Sequence, residues 1–492
     1  MASPPNENKY ELGNTPAVKE DSQIAYHIDI TNAPDTIGDW DEAEERKLIR
    51  KIDFRIIPFL SVVYGLSLLD RSNISAAYIA GMDEALDLTV GARYNIALMM
   101  FFATYTLLEL PSNLIIRRLG ARNWICFLII GFGSMVLGMG FVKDWASLTV
   151  LRMFLGAFEA GILPGALFLI SSWYKTFETA KRFTIFYMSA LLTNGFNGII
   201  AYALSLIHVG DGAYKEGWRW IFIIEGAVTI ACGFFVPFFL GEFPEKSIWL
   251  NDRERHIAKR RLTFEVGGHS YEKEPLLKSL RALLDWKIAF YCFQLYVAAA
   301  SVYALAYFMP VILLKDLGFS YTKAQLLTSP PYLSTVILSI ISAWLSDRTK
   351  LRWPFLCTQA VISILGLLLM LYVQSPAGRY FGTFLGVFGT QANTPGSLSY
   401  GSNQIGDPRK KGVVVAAMVS CASLGGITGS TVFRRQDAPR YIPGMWTMII
   451  LQISYAIGTF TMSRYLRNRN RLADEGKIPD ILEGISRFRY AP

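Results

Sequence analysis

Apolar positions along the chain collect into twelve runs of about twenty residues, and charged residues are confined to the short stretches between them. The runs lie at 55–78, 94–116, 123–142, 146–172, 183–207, 218–240, 287–313, 324–346, 354–374, 380–404, 412–433 and 444–464. A helix needs roughly 20 apolar residues to cross a hydrocarbon core, whereas a buried helix of a soluble protein is usually shorter. The pattern therefore predicts an all-α membrane protein of twelve transmembrane helices. It divides the chain into a polar tail (1–54), a six-helix bundle (55–240), a charged central loop (241–286), a second six-helix bundle (287–465) and a C-terminal tail (466–492). Residues 1–40, rich in Pro, Asn, Asp and Glu, read as disordered. The stretch from Pro244 to Leu262 reads as a short surface helix. No charged segment leads into an apolar core at the N-terminus, so no cleaved signal peptide is expected.

Composition agrees with the pattern. Only 18% of residues are charged, against roughly 25% in a soluble protein. The net charge of +9 could suggest a nucleic-acid partner, but its placement argues for a bilayer. With the N-terminus in the cytoplasm, 36 of the 48 Lys and Arg fall on the cytoplasmic side and 10 on the other, with Arg71 and Arg152 inside spans. This asymmetry predicts both termini in the cytoplasm. The five cysteines lie in apolar stretches without metal or CxxC spacing, so they read as packing residues. No cofactor site is expected. All four histidines fall in tails or loops, which argues against a histidine proton relay. Gly425, Gly426 and Gly429 mark a close helix approach.

The chain also repeats itself at one spacing. Arg117-Arg118 after the second span matches Asp347-Arg348 after the eighth, Lys181-Arg182 matches Lys410-Lys411, and Pro164 matches Pro395, at offsets of 229–231. Parallel six-helix repeats place a substrate site near the midplane between them. The ordered blocks LDRSNI (69–74), ELPSNLIIRRLGARNW (109–124), LRMFLGAFEAGILPG (151–165), GWRWIFIIEG (217–226), WLSDRTK (344–350) and TQANTPGSLSY (390–400) carry a resemblance. Over residues 45–470 the chain resembles the major facilitator superfamily. Within it, the chain is similar to the fungal allantoate-permease-like branch of the anion:cation symporters, which includes permeases for nicotinate, pantothenate, biotin and ureido acids. Arg117 stands where the superfamily motif usually has Asp, and Tyr400-Gly401 stands where relatives often have Trp. The resemblance implies proton-coupled uptake of a small organic anion by a multi-pass plasma-membrane protein acting as a monomer, with no enzymatic activity and no nucleic-acid partner. Export of a metabolite and nutrient sensing without transport are the competing readings.

Charges inside a membrane are costly and usually functional. The candidates are Asp70, Arg71, Glu109, Arg152, Glu159 and Glu225, all in the N-terminal half. Apart from their ends, the C-terminal spans offer neutral polar groups instead, among them Gln294, Tyr303, Gln391 and Asn393. At 1.5 Å per residue, Arg152 and Glu159 are about 10 Å apart along their helix, and Asp70-Arg71 reach about the same level from the other side. Two guanidiniums and two carboxylates are thus expected to converge in one cavity. Arg71 and Arg152 would bind the carboxylate of the substrate, with Gln294, Tyr303, Gln391 and Asn393 reading its neutral part. Asp70 and Glu159 would carry the proton, and the resemblance implies the same roles. The alternatives are an ion-pair set that only holds helices together and, for the neutral polar groups of the C-terminal half, ordinary helix–helix hydrogen bonding. Glu109 and Glu225, nearer the ends of their spans, read equally well as interfacial carboxylates that reach water. Arg118, Asp347 and Arg348 are expected to form a gate at the cytoplasmic face.

Overall fold

The computed structural model describes residues 40–209, 215–241, 247, 249–265, 285–349, 351–405, 408–438 and 440–477, together with 481–482, 485–486 and 489–490. Among these the chain is helical, apart from a two-residue antiparallel pairing of Ile481–Leu482 with Ile485–Ser486 in the tail. The N-terminal half contains α1 (Glu42–Ala77), α2 (Arg93–Leu119), α3 (Ala121–Met139), α4 (Trp145–Glu159), α5 (Ile162–Trp173), α6 (Thr176–Gly195), α7 (Asn197–Ser205) and α8 (Gly217–Phe239). Surface helix α9 (Asp252–Glu265) follows. The C-terminal half contains α10 (Trp286–Val311), α11 (Tyr321–Leu326), α12 (Ser329–Thr349), α13 (Trp353–Tyr372), α14 (Pro376–Asn403), α15 (Pro408–Thr431) and α16 (Ile442–Asp474).

These helices make twelve spans, three of them broken. The fourth is α4 plus α5, the fifth α6 plus α7, and the eighth α11 plus α12. Among the described residues, ten spans are long and apolar enough by composition to cross a membrane. The second, α2, contains Glu109, and the tenth, α14, is rich in Gly, Thr, Ser and Asn, so both read as less apolar while still 27 and 28 residues long. The breaks were not visible as interruptions of hydropathy. The eighth span breaks just before Pro330-Pro331, where prolines open α12: proline has no N–H to donate and suits a first turn. The polar ends run further than expected. α1 starts at Glu42 and α16 continues to Asp474, because helices can carry charge once they leave the apolar layer. Of the surface helix expected from Pro244 to Leu262, Pro244 lies outside the described residues, and the helix described there begins at Asp252.

Small residues let the helices approach. A Cβ on Gly156 would collide with the carbonyl of Phe101, which ties α4 against α2. Gly425 and Gly429 lie against Tyr296 and Ala300 of α10, the close approach expected of them. The face carrying both chain ends is laced by ion pairs: Lys51 to Glu254 at 2.7 Å, Arg182 to Asp53 at 2.6 Å and Lys175 to Glu45 at 2.8 Å. Arg261, fully buried, sits between Glu45 and Glu178. Burial acts to raise the Glu254 carboxyl, but hydrogen bonds from Lys51 and the Asn251 amide outweigh it and hold the group below its usual value. These contacts fasten the α1 extension, the α5–α6 corner and α9 to one another.

Gly120 alone separates α2 from α3, with φ 87° and ψ 152°. This conformation is open essentially only to glycine and costs about 1–3 kcal/mol for other residues. Gly120→Ala should therefore lower the melting temperature of the purified protein measurably, whereas Gly91→Ala, with φ 56° and open space around it, should do less. Equal melting of wild type and Gly120→Ala would remove the corner from the account.

Candidate functional site: a polar cavity between the two halves

The contacts that join the halves concentrate toward the face opposite the chain ends. Asn95 donates to the carbonyls of Ser430 (2.7 Å) and Phe433 (3.1 Å), Gln325 donates to the carbonyl of Ala76 (2.9 Å), and the Tyr321 hydroxyl donates to Ser205 (2.6 Å). Lys315 pairs with Asp83 at 3.1 Å. Beneath them Phe102 lies edge-on to Tyr303, with ring centroids 4.7 Å apart. Toward the other face the halves part around a cavity of about 1060 Å³ counting its mouth. Its polar wall includes Arg71, Tyr105, Asn194, Tyr303, Gln391 and Thr394, set among Leu68, Leu163 and Leu295. An apolar pocket with a few convergent polar groups is the usual form of a small-molecule site.

Arg71 stands at the closed end of this cavity. Its Nε donates to Glu159 Oε1 at 3.0 Å and its Nη2 donates to the same oxygen. Nη1 donates to the Tyr303 hydroxyl across the interface at 2.5 Å. Ser67, one turn before Arg71, also donates to Glu159 Oε1, at 2.5 Å. Glu159 Oε2 has no hydrogen-bond partner among the described residues. The guanidinium carbon lies 5.1 Å from the ring centres of both Phe101 and Tyr105, so the cation rests on aromatic faces as well. The ion pair is buried, with Arg71 only 6% exposed and Glu159 1%. Removing one partner of such a pair typically costs about 3–5 kcal/mol.

The other candidates are dispersed. Arg152 is fully buried beside the Tyr307 hydroxyl and the Phe101 ring, its guanidinium carbon 4.8 Å from that ring centre rather than on the cavity wall. Glu159 and Tyr307 are its electrostatic neighbours. Asp70 turns away from the cavity and accepts a hydrogen bond from Thr229 of α8 at 3.1 Å. The four charged groups therefore do not converge in one cavity. Depth along a helix is set by residue count, but facing is set by about 100° of rotation per residue, which separates Asp70 from Arg71. Tyr303 and Gln391 line the cavity. Gln294 instead donates to Thr459 at 2.7 Å inside the C-terminal half, and Asn393 is buried off the wall with both amide atoms unpartnered.

Glu109 and Glu225, read as groups that could reach water, are 2% and 6% exposed. Both spans extend beyond their carboxylates into packed helix, so nearness to a span end did not mean exposure. Of the gate residues, Arg118 and Arg348 are exposed, with Arg348 over the Trp344 ring at 5.4 Å. The side chain of Asp347 lies outside the described residues, as do His27 and His269. Ser67, Tyr105, Asn194 and Thr394 were not singled out from sequence. Ser67 was within reach of that reading, since it shares a helix face with Arg71 at i, i+4; the others are ordinary-looking polar positions until the helices are packed.

Two six-helix halves around a polar cavity, closed at one face, form the architecture of a membrane transporter. A family model described as Major Facilitator Superfamily matches residues 60–430, and the chain belongs to that superfamily. It is 32% identical over 456 residues to a fungal protein named MFS transporter prlL, covering 90% of this chain and 91% of that one. It is also 32% identical to the high-affinity nicotinic acid transporter of Saccharomyces cerevisiae, covering 83% of this chain and 76% of that protein. Among solved structures it is similar to a bacterial homologue of the human lysosomal transporter Spinster, in an inward-facing, unoccupied conformation. The TM-score there is 0.65 at 16% identity, covering 86% of this chain and 98% of that one. The xylose transporter XylE of E. coli, partially occluded and inward open, gives 0.63 at 13% identity, with 84% and 99% covered. These likenesses agree with the twelve-helix fold.

The seal generates a prediction. Asn95→Ala removes two hydrogen bonds across the closed face and should shift the population toward opening there. With the five native cysteines replaced, a cysteine put in place of buried Ser75 should react with a membrane-impermeant maleimide at least about fivefold faster in Asn95→Ala, the response to roughly 1 kcal/mol of bias. Unchanged reactivity would show that Asn95 does not hold the seal.

Proposed function

We propose that the protein takes up a small organic anion with a proton, by alternating access, and that Arg71 holds the carboxylate of the substrate. The observation that carries this reading is the geometry at Arg71: a guanidinium on the cavity wall whose present partner, Glu159, is itself a titratable group. While Glu159 is ionised it occupies Arg71. A proton on Glu159 neutralises it, and Arg71 can then turn its donors to an incoming carboxylate. Proton and anion thus enter together, and the charge of the buried site is conserved. Net uptake of an anion against an inside-negative potential costs about 2.3 kcal/mol per charge per 100 mV, so a co-transported cation is required. Tyr303 joins the pair to the C-terminal half, and Gln391 and Thr394 supply neutral hydrogen bonds to the rest of the ligand. The relative named for nicotinic acid supports a monocarboxylate substrate. The Lys and Arg asymmetry supports cytoplasmic termini, in which case the cavity opens to the cytoplasm and the gate residues Arg118, Asp347 and Arg348 stand at its open face. A plasma-membrane location, action as a monomer and membership of the anion:cation symporter branch complete the reading.

Flux in proteoliposomes tests it, with a panel of labelled aromatic and aliphatic monocarboxylates that includes nicotinate. Wild type should accumulate a member of the panel about tenfold per unit of inwardly directed pH gradient, the equivalent of one proton. Glu159→Gln mimics the protonated form: it should exchange the same anion across the membrane but lose accumulation. Asp70→Asn should show the same split. Accumulation retained in both variants would place the coupling elsewhere, and failure of wild type to exchange any carboxylate would overturn the anion reading.

A further inference from the structure

A second set of buried acids lies away from the cavity, between the first and sixth spans. Asp70 is fully buried on α1. Its Oδ2 takes the Thr229 hydroxyl, and its Oδ1 has no partner among the described residues. Glu225 stands one helical turn before Thr229 on α8, on the same face, because i and i+4 are neighbours on a helix. It is 6% exposed, and among the described residues neither of its carboxyl oxygens has a hydrogen-bond partner. Asp70 is the charged group that acts on it.

Among the described residues the surroundings supply no cation that pairs with either acid. From α8 the pair meets Thr229 and, near Asp70, Cys232. From α4, Glu159 acts on Asp70 and is already held by Arg71. The helix α3 presses on this region through Gly133 and Leu137, neither of them titratable. Among the described residues, neither Asp70 nor Glu225 forms an ion pair with Lys or Arg. Two carboxylates in a dry site without a counter-charge cannot both ionise at reasonable cost, whereas one proton held by the two halves the charge.

We propose that Asp70 and Glu225 form a carboxyl pair that binds one proton between the first and sixth spans, a proton site distinct from the substrate cavity. Glu159 lies within electrostatic reach of Asp70 and is held by Arg71 of the cavity wall, so the pair is the far end of a row Glu159–Asp70–Glu225 drawn from three spans. The role of the pair in transport rests on the proton-coupled reading above; its existence as a proton site does not.

The test is a double-mutant cycle on the full-length protein in detergent: wild type, Asp70→Asn, Glu225→Gln and the double variant, with melting temperature followed as pH rises through neutrality. Wild type should lose stability as the pair is forced to ionise fully. Each single variant should flatten that loss, and the double variant should flatten it no further, so the two effects are strongly non-additive. Additive effects, or a Glu225→Gln variant that keeps the wild-type pH response, would overturn the pair. The wild type itself gives a second readout that no folding defect can spoil. An apolar carbodiimide, which modifies protonated carboxyls within membranes, followed by peptide mass spectrometry, should label Asp70 or Glu225 at neutral pH, with at most one of the two labelled in any chain. Simultaneous labelling of both, or of neither, at neutral pH would contradict a single shared proton. If these measurements support the pair while wild-type flux ignores a pH gradient, proton-coupled transport fails and the proton site stands; the reverse pattern removes the site and leaves coupling at Glu159.

Discussion

The buried ion pair between Arg71 and Glu159 is the interaction on which the rest of the site depends. A guanidinium in a low-dielectric interior has to be partnered or it destabilises the fold by several kcal/mol. Here the partner comes from another span, Ser67 shares the accepting oxygen, and Tyr303 brings in the opposite half of the protein. The pair therefore ties helix packing, the joint between halves and the chemistry of the cavity into one arrangement. Anything that changes the charge of Glu159 has to be felt at Tyr303, because both groups share one guanidinium.

The surrounding structure makes that pair possible. Gly156, three residues before Glu159, lets α4 lie against α2 at the level of Phe101. Phe101 then stands beside both guanidiniums, 5.1 Å from Arg71 and 4.8 Å from Arg152. The aromatic ring keeps the two cations in separate compartments: Arg71 on the wall, Arg152 behind it. Asp70 belongs to a third compartment, against α8. Two spans thus carry charge into three compartments, and each compartment has a different exposure to the cavity.

Much of this was legible in the sequence, for identifiable reasons. Twelve apolar runs gave the spans because length and hydropathy are local properties. The repeat at 229–231 residues gave the two halves because matched landmarks survive in the chain. Arg71, Glu159 and Tyr303 stood out as charge or polarity where a membrane penalises it. What the sequence did not carry was angle. Arg152 and Asp70 sit at the expected depth, yet neither points into the cavity, since one residue of rotation turns a side chain to another neighbour. Gln294 and Asn393 were indistinguishable from Gln391 for the same reason. The helix breaks near Gly161 and Phe196 escaped notice because they interrupt hydrogen bonding without interrupting hydropathy.

The central claim is that the substrate carboxylate and Glu159 compete for the same guanidinium. Equilibrium binding of the monocarboxylate that exchanges best, measured on purified protein over a pH range in which that ligand stays an anion, examines this most directly. Glu159→Gln should bind the anion more tightly than wild type, because it no longer holds Arg71 as an ion pair. A Glu159→Gln variant that binds no more tightly than wild type would contradict the account.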